Sequence, residues 1–162
     1  MKKTNLSQHY NISSNQYNKV KVGIVVSEWN ENITNALKEG ALAVLYNAGI
    51  EKKNISVISV PGSYELPFAA SELLMSDDDI VSVICLGCII QGETRHFEFI
   101  AQAVSHGIMR VSLDHGVPVI FGVLTCDTME QAQERAGGKH GNKGVEAAYT
   151  CLKMIELEHK LF

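Results

Sequence analysis

The sequence has few of the features that would place the protein in a membrane, on nucleic acid or outside the cell. Its 162 residues contain no apolar run close to the roughly 20 residues needed to cross a bilayer. The formal net charge is −4, and no basic stripe is present to follow a phosphodiester backbone. The polar segment 1–19 lacks the apolar middle of a signal peptide. We therefore expect a cytoplasmic protein with no membrane and no nucleic-acid partner.

Cysteine is also sparse, and the spacing of the four cysteines does not favour a metal or redox site. Cys85 and Cys88 form a C-x-x-C pattern inside the apolar run 80–90, which predicts a buried strand. Residues three apart on a strand point to opposite faces, so these two sulfurs cannot bind one metal ion. Cys126 and Cys151 supply no second pair. We expect the cysteines to pack in the core, and we expect no metal.

What is present is an alternation of strand and helix patterns. With 46% hydrophobic residues, the chain suits one domain with an ordinary core. Apolar, β-branched runs predict strands over 20–26, 55–60, 80–90 and 119–124. Helical spacing follows each of them, over 33–48, 63–75, 97–111 and from residue 143, with a short capped helix from Thr128. This predicts an α/β fold with a mostly parallel four-stranded sheet over residues 20–162, preceded by an N-terminal extension, 1–19.

Ligands of such sheets bind beyond the carboxyl ends of the strands, which selects the residues to inspect. Trp29 follows the first strand and can stack on a planar heterocycle, although a lone tryptophan is more often a core residue. The turn after the second strand carries Ser63, Tyr64 and Glu65. Its amides suit carbonyls or hydroxyls of a ligand, whereas Glu65 alone is equally explained by the helix dipole.

The segment Gly92–His96 follows the third strand and is the strongest candidate for chemistry. Glycine lets the backbone approach a ligand, and Thr94 adds a hydroxyl. His96 opens a predicted helix, whose positive dipole end favours the neutral imidazole that can take and return protons. Most of the other histidines have no comparable position: His9, His106, His115 and His159.

Arg135, on the predicted helix after the last strand, lies near the same end of the sheet. It can bind a phosphate with two nitrogens, or merely pair with Glu130 or Glu134 on its own helix. The glycine-rich stretch 137–144 is not a phosphate loop, because it follows a helix and lacks the G-K-[ST] ending. We interpret it as a tight connection between two helices.

Taken together, these segments resemble the lumazine synthases. The resemblance covers residues from about 20 to 161 and rests on five motifs in order. They are VPGSYELP at 60–67, LGCIIQGETRHF at 86–97, PVIFGVLT at 118–125, ERAG at 134–137 and GNKG at 141–144.

The resemblance implies a flavodoxin-like three-layer sandwich and a cofactor-independent transferase of riboflavin biosynthesis. Such enzymes condense 5-amino-6-(D-ribitylamino)uracil with 3,4-dihydroxy-2-butanone 4-phosphate, giving 6,7-dimethyl-8-ribityllumazine, phosphate and water. His96 matches the proton-transfer residue. The positions that match the ribitylaminouracil site are Trp29, Ser63, Tyr64, Glu65, Cys88, Ile89, Ile90 and Phe121, the last from a neighbouring subunit. Those that match the butanone phosphate site are Glu93, Thr94, Arg135 and Lys143.

The resemblance also implies a homo-oligomer with sites shared between subunits. We expect a pentamer and, because the connection 138–144 is short, a shell of sixty subunits, with riboflavin synthase as a candidate partner. The segment 1–19 is expected to extend a neighbour's sheet. Three residues depart from the family pattern: Gln91 replaces Arg or Lys, Arg95 a small residue or proline, and Trp29 the commoner Phe.

Two other functions are compatible with this fold. A flavin-carrying module without catalysis is favoured slightly by Trp29, but such a carrier has no need of His96 or Arg135. A purely structural cage protein would leave the strand-end residues free to vary.

Overall fold

The computed structural model describes residues 17–161, and four parallel strands form its centre. In chain order the strands of this sheet are β1 (Lys21–Ser27), β2 (Ile55–Val60), β3 (Ile80–Ile90) and β4 (Val119–Cys126). Their order across the sheet is β2-β1-β3-β4, and every pair is parallel. The predicted α/β fold with a four-stranded parallel sheet is confirmed.

Five helices and a small hairpin complete the described part of the chain. The helices are α1 (Glu31–Asn47), α2 (Leu66–Ser76), α3 (His96–His115), α4 (Met129–Gln133) and α5 (Lys143–Leu161). Single 3₁₀ turns precede β2 at Lys52–Asn54 and α2 at Ser63–Glu65. A two-stranded antiparallel hairpin, β5 (Ala136–Gly138) and β6 (Gly141–Asn142), joins α4 to α5. None of the helices in residues 17–161 is long and apolar enough to cross a membrane.

The helices cover both faces of the sheet, so the fold has three layers and two cores. On one face α1 and α5 pack over a core that contains Leu37, Leu86 and Leu152. On the other face α2 and α3 pack over a core that contains Leu66, Val83 and Ile108. Both faces of β3 are therefore buried, which explains its uninterrupted apolar sequence.

Local sequence signals account for where the helices begin and end. Gly49 follows α1 with a positive φ of 92°, a conformation that glycine adopts without strain. Pro67 lies in the first turn of α2, where its missing amide has no partner to lose. Thr128 caps α4 by accepting a hydrogen bond from the Gln131 amide.

The segment after α4 differs from the prediction. The glycine-rich stretch was expected to be a tight connection, but the structure forms the β5–β6 hairpin there. The short helix α4 ends at Gln133, so Arg135 lies after this helix rather than on it. Strands of three and two residues, with glycine at 137, 138 and 141, carry no alternation of apolar and polar residues from which a hairpin could be predicted.

The predicted N-terminal extension falls mainly on residues 1–16, which lie outside the described residues. Tyr17, the first described residue, is buried against the core of α1 and α5. Its hydroxyl donates a hydrogen bond of 2.6 Å to the Glu156 carboxylate on α5.

The cysteines occupy the core, as predicted, and Cys85 and Cys88 lie on opposite faces of β3. Burial raises the pKa of the Cys85 and Cys151 thiols to about 12. The unfolded chain loses these protons near pH 8.5, so the contribution of the thiols to stability is complete below that pH. It falls as the pH rises from there towards the pKa of the folded state.

We expect Cys85 and Cys151 to resist an aromatic disulfide reagent at pH 8 in the folded protein, because thiolate is the reacting form. All four thiols should react in denaturant, as counted by the absorbance of the released thiolate. Rapid reaction of four thiols without denaturant would contradict the burial of these side chains.

Candidate active site

The carboxyl ends of β1, β2 and β3 surround a cavity of about 580 Å³, which we call the site pocket. Parallel strands end at the same edge of the sheet, so the loops after them meet there. The residues that line the site pocket are Trp29, Asn30, Gly62, Ser63, Tyr64, Glu65, Cys88, Ile89, Ile90, Gly92, Thr94, His96, Phe97 and Ile100.

Trp29 lies at the mouth of the site pocket, and 73% of its surface is exposed. The interpretation as a core residue is therefore wrong. The backbone fixes this position, because the Glu28 and Trp29 amides donate to the carbonyls of Val60 and Pro61 at 2.8 and 3.1 Å. These bonds continue the pairing of β1 with β2 beyond the strand ends. The indole ring is thus held where a planar ligand can stack on it.

Asn30 is a residue of the site pocket that the sequence analysis missed. It has a φ of 60°, and among residues 17–161 it is the only residue other than glycine with a positive φ. Asparagine is one of the few residues that adopt this conformation readily. Its side-chain amide donates to the Cys88 carbonyl at 3.0 Å, while its own carbonyl accepts from Ile33 and Thr34 at the start of α1. An asparagine between a strand and a helix was the available signal.

The turn after β2 presents Ser63, Tyr64 and Glu65 to the site pocket. The Glu65 carboxylate accepts a hydrogen bond of 2.9 Å from the Gly62 amide, three residues earlier. This capping contact uses one carboxylate oxygen and holds the turn closed. Tyr64 is 58% exposed, so its ring is available to a ligand.

Ser63 carries a hydroxyl for which the described residues provide no hydrogen-bond partner. The residue is only 6% exposed and packs against Gly87 of β3. A Cβ at position 87 would lie 2.5 Å from the Ser63 hydroxyl, so glycine makes room for it. Because an unsatisfied buried hydroxyl is costly, this atom is suited to a ligand hydroxyl or an ordered water.

The loop between β3 and α3 places His96. The Gln91 side-chain amide donates to the carbonyls of Gly92 and Thr94 at 2.7 and 3.3 Å, which folds the loop over itself. The Thr94 hydroxyl accepts from the His96 amide at 3.4 Å. His96 is the first residue of α3, exposed and on the wall of the site pocket. Its imidazole is therefore accessible to a bound molecule.

Comparison with known proteins identifies the family of this chain. The sequence model of the 6,7-dimethyl-8-ribityllumazine synthase family matches residues 19–159. The chain belongs to this family. It is 61% identical over 133 residues to a 6,7-dimethyl-8-ribityllumazine synthase of Cytophaga hutchinsonii, which covers 82% of this chain and 83% of the relative. A protein of the same name from Porphyromonas gingivalis is 49% identical over 156 residues, which is 93% of this chain and 96% of the relative.

The predicted family, its enzymatic nature and its three-layer α/β fold are thereby confirmed. The roles of individual residues stay predictions, and the structure gives their positions. It brings together in one site pocket nine of the residues matched to the lumazine synthase site: Trp29, Ser63, Tyr64, Glu65, Cys88, Ile89, Ile90, Thr94 and His96.

Four matched residues lie outside the site pocket of their own chain. Phe121 and Lys143 line a second groove of about 750 Å³ between α3, β4 and α5, which we call the edge groove. Phe121 is 41% exposed there, on a strand at the edge of the sheet. Glu93 is exposed on the loop before α3, and Arg135 follows α4. A site that uses all of these residues therefore needs more than the site pocket of one chain.

The two cations matched to the phosphate site have partners within the chain. The Arg135 guanidinium donates to the Gln131 carbonyl at 2.9 Å. Pairing of Arg135 with Glu134 was one predicted alternative. The main contact of the Glu134 carboxylate is instead Lys139 at 2.6 Å, and His140 lies 3.4 Å from it. The hydrogen bond from Lys139 lowers the pKa of Glu134. Lys143 forms an ion pair of 2.6 Å with Glu146.

Metal ligands are not clustered in the part of the chain that the structure describes. Within residues 17–161 no three His, Cys, Asp or Glu side chains are placed to hold one ion. Cys88 and Cys85 face different cores, which removes the C-x-x-C pair from consideration.

Proposed function

We propose that this chain is a 6,7-dimethyl-8-ribityllumazine synthase that condenses 5-amino-6-(D-ribitylamino)uracil with 3,4-dihydroxy-2-butanone 4-phosphate. The observation that carries the proposal is one pocket at the strand ends that combines an exposed tryptophan, an unpaired buried hydroxyl and an accessible histidine. These groups suit a planar heterocycle, a polyol and proton transfer, in that order.

The uracil substrate occupies the site pocket in this proposal. Its ring stacks on Trp29. Its ribityl hydroxyls form hydrogen bonds with the buried Ser63 hydroxyl and with polar groups of the same turn. Tyr64 and Glu65 border the ring, and the backbone of Cys88, Ile89 and Ile90 forms the floor. Phe121 of a neighbouring subunit closes the site from its edge groove.

His96 moves protons during the condensation. The amine of the uracil attacks the ketone and loses water to form an imine. Loss of a proton and of phosphate then leaves an enol, which tautomerises to a second carbonyl. The ring closes on this carbonyl with loss of another water. Each step transfers protons, and none transfers electrons to a cofactor. Holding the two substrates together and providing one imidazole near neutral pH supplies the catalysis that these steps need.

The phosphate end is formed by Glu93, Thr94, Arg135 and Lys143. Arg135 offers the planar fork that binds phosphate oxygens with two hydrogen bonds. Lys143 adds a second positive charge, which Glu146 orients through their ion pair. Thr94 offers a hydroxyl on the wall of the site pocket.

The chain works as a homo-oligomer in this proposal, because Phe121 and Lys143 line a groove separate from the site pocket. We propose a pentamer, and a shell of sixty subunits in the cytoplasm, with riboflavin synthase as a candidate partner. The short β5–β6 hairpin leaves no insertion in the connection before α5. Native mass measurement tests the assembly, and a particle of only five subunits would exclude the shell.

Mixing the purified protein with both substrates tests the activity. We expect the absorbance of the lumazine product to grow at a rate proportional to protein concentration. Flavin binding without product would favour a flavin-carrying module, and failure to bind either substrate analogue would favour a structural cage protein.

A further inference from the structure

The β5–β6 hairpin connects the two cations that the proposed function assigns to phosphate. Arg135 comes immediately before β5, and Lys143 comes immediately after β6. The Lys143 amide donates a hydrogen bond of 2.8 Å to the Arg135 carbonyl. The backbones of these two residues are therefore bonded directly to each other. Whatever holds the base of this hairpin also determines where both cations lie.

Asn142 is the residue that holds the base of the hairpin. Its side-chain oxygen accepts hydrogen bonds from the amides of Gly144 and Val145, at 2.8 and 3.2 Å, and so caps the first turn of α5. Its side-chain nitrogen donates at 2.9 Å to the carbonyl of Ala36 in α1. The first two bonds serve the helix start. The third does not, because it ties the hairpin to a different helix.

The Asn142 side chain is tightly packed against α1. A Cβ at Gly40 of α1 would lie 2.7 to 2.8 Å from the terminal atoms of the Asn142 side chain. A Cβ at Gly144 would overlap the Leu37 carbonyl oxygen, so α1 and α5 approach each other closely beside the Asn142 side chain. Gly40 thus leaves room for the Asn142 side chain, and Gly144 lets α1 and α5 approach beside it. This close packing leaves the Asn142 side chain little freedom to move.

We propose that Asn142 is a positioning residue, which anchors the hairpin to α1 and thereby sets Arg135 and Lys143 for a phosphomonoester. The proposal rests on the proposed function, since that function assigns the two cations to phosphate. A cap of α5 requires only the two amide bonds. The bond to Ala36 accounts for an asparagine here, because a shorter capping side chain cannot reach that carbonyl.

The pair of variants Asn142→Ala and Asn142→Ser separates positioning from capping. Serine still accepts from the amides of α5, so Asn142→Ser should keep a higher thermal midpoint than Asn142→Ala. It cannot reach Ala36, so we expect both variants to raise the Kd for inorganic phosphate, measured by titration calorimetry. A rise of about tenfold corresponds to about 1.4 kcal/mol, less than one full charge-assisted hydrogen bond to phosphate contributes. The KM for the butanone phosphate should rise in parallel, and that for the uracil should stay unchanged.

Gly40→Ala perturbs the Asn142 side chain from α1 without changing any residue of the hairpin. The added methyl displaces the Asn142 amide, whereas alanine itself favours helix α1, so loss of fold is not expected. We expect the same rise in the phosphate Kd. Asn54→Ser is the matched control, because Asn54 also donates to a main-chain carbonyl, that of Asn18, but at the opposite end of β2. This variant should bind phosphate like the wild type.

The outcomes distinguish the positioning role from the function on which it rests. Wild-type phosphate affinity in Asn142→Ser and Gly40→Ala, in a protein that forms lumazine, would overturn the positioning role alone. Full recovery of phosphate affinity by serine relative to alanine would reduce Asn142 to a helix cap. A wild-type protein that forms no lumazine and binds no phosphate would overturn both proposals.

Discussion

Replacing His96 with glutamine should lower kcat by about 10- to 1000-fold, the range expected when proton transfer by a positioned side chain is lost. Glutamine keeps the approximate length of the side chain and can form hydrogen bonds, but it cannot take up and release a proton at neutral pH. His96 is exposed at the start of α3 and belongs to neither hydrophobic core. The substitution should therefore leave the fold and both KM values nearly unchanged.

Initial rates of lumazine formation, measured while each substrate is varied in turn, provide the test. His106→Gln is the control, since His106 is also exposed on α3 but does not line the site pocket or the edge groove. Its kcat should equal that of the wild type. A His96→Gln enzyme with an undiminished kcat would show that another group moves the protons.

Much of the fold could be predicted because its strands are bounded by strong signals. β2 is followed directly by Pro61-Gly62, and β3 follows an acidic turn at 77–79. The predicted bounds of both strands match the structure. Continuous apolar character identified β3 as buried on both faces. The alternation of strands and helices predicts the parallel sheet. The rule that ligands bind at the carboxyl edge of such a sheet then predicts most of the residues that line the site pocket.

The parts that could not be predicted depend on contacts distant in sequence. Hydrophobicity alone predicts that Trp29 is buried, whereas backbone bonds to the turn after β2 hold it exposed. The hairpin before α5 has no strand pattern of its own and is stabilised by Asn142, whose partner in α1 lies 106 residues earlier. Nothing local in the sequence indicates either contact.

The separation of Phe121 from the site pocket is a third case. A parallel sheet brings the carboxyl ends of all its strands to one edge, but Phe121 is the third residue of β4 and lies far from that end. The proposed role of Phe121 in the site therefore requires that its ring enter the site pocket of another subunit. In the structure the Phe121 ring lines the edge groove instead.

Replacing Arg135 with alanine should raise the KM for the butanone phosphate by about 10- to 100-fold. A hydrogen bond to a charged group contributes about 1.5 to 3 kcal/mol, and each 1.4 kcal/mol corresponds to a factor of ten. The uracil substrate makes no contact with this guanidinium in the proposed site, so its KM should change little. The KM of Arg135→Lys for the butanone phosphate should lie between those of the wild type and Arg135→Ala, because lysine keeps the charge but lacks the planar fork.

Steady-state kinetics with each substrate varied in turn separates the two KM values. Arg110→Ala is the control, because it removes an exposed arginine of α3 that pairs with Asp114 and lines neither the site pocket nor the edge groove. Thermal unfolding must accompany the kinetics, since Arg135→Ala also removes the hydrogen bond to the Gln131 carbonyl at the end of α4. A lower thermal midpoint with both KM values unchanged would mean that Arg135 only fixes this turn, and the phosphate would then need a different cation.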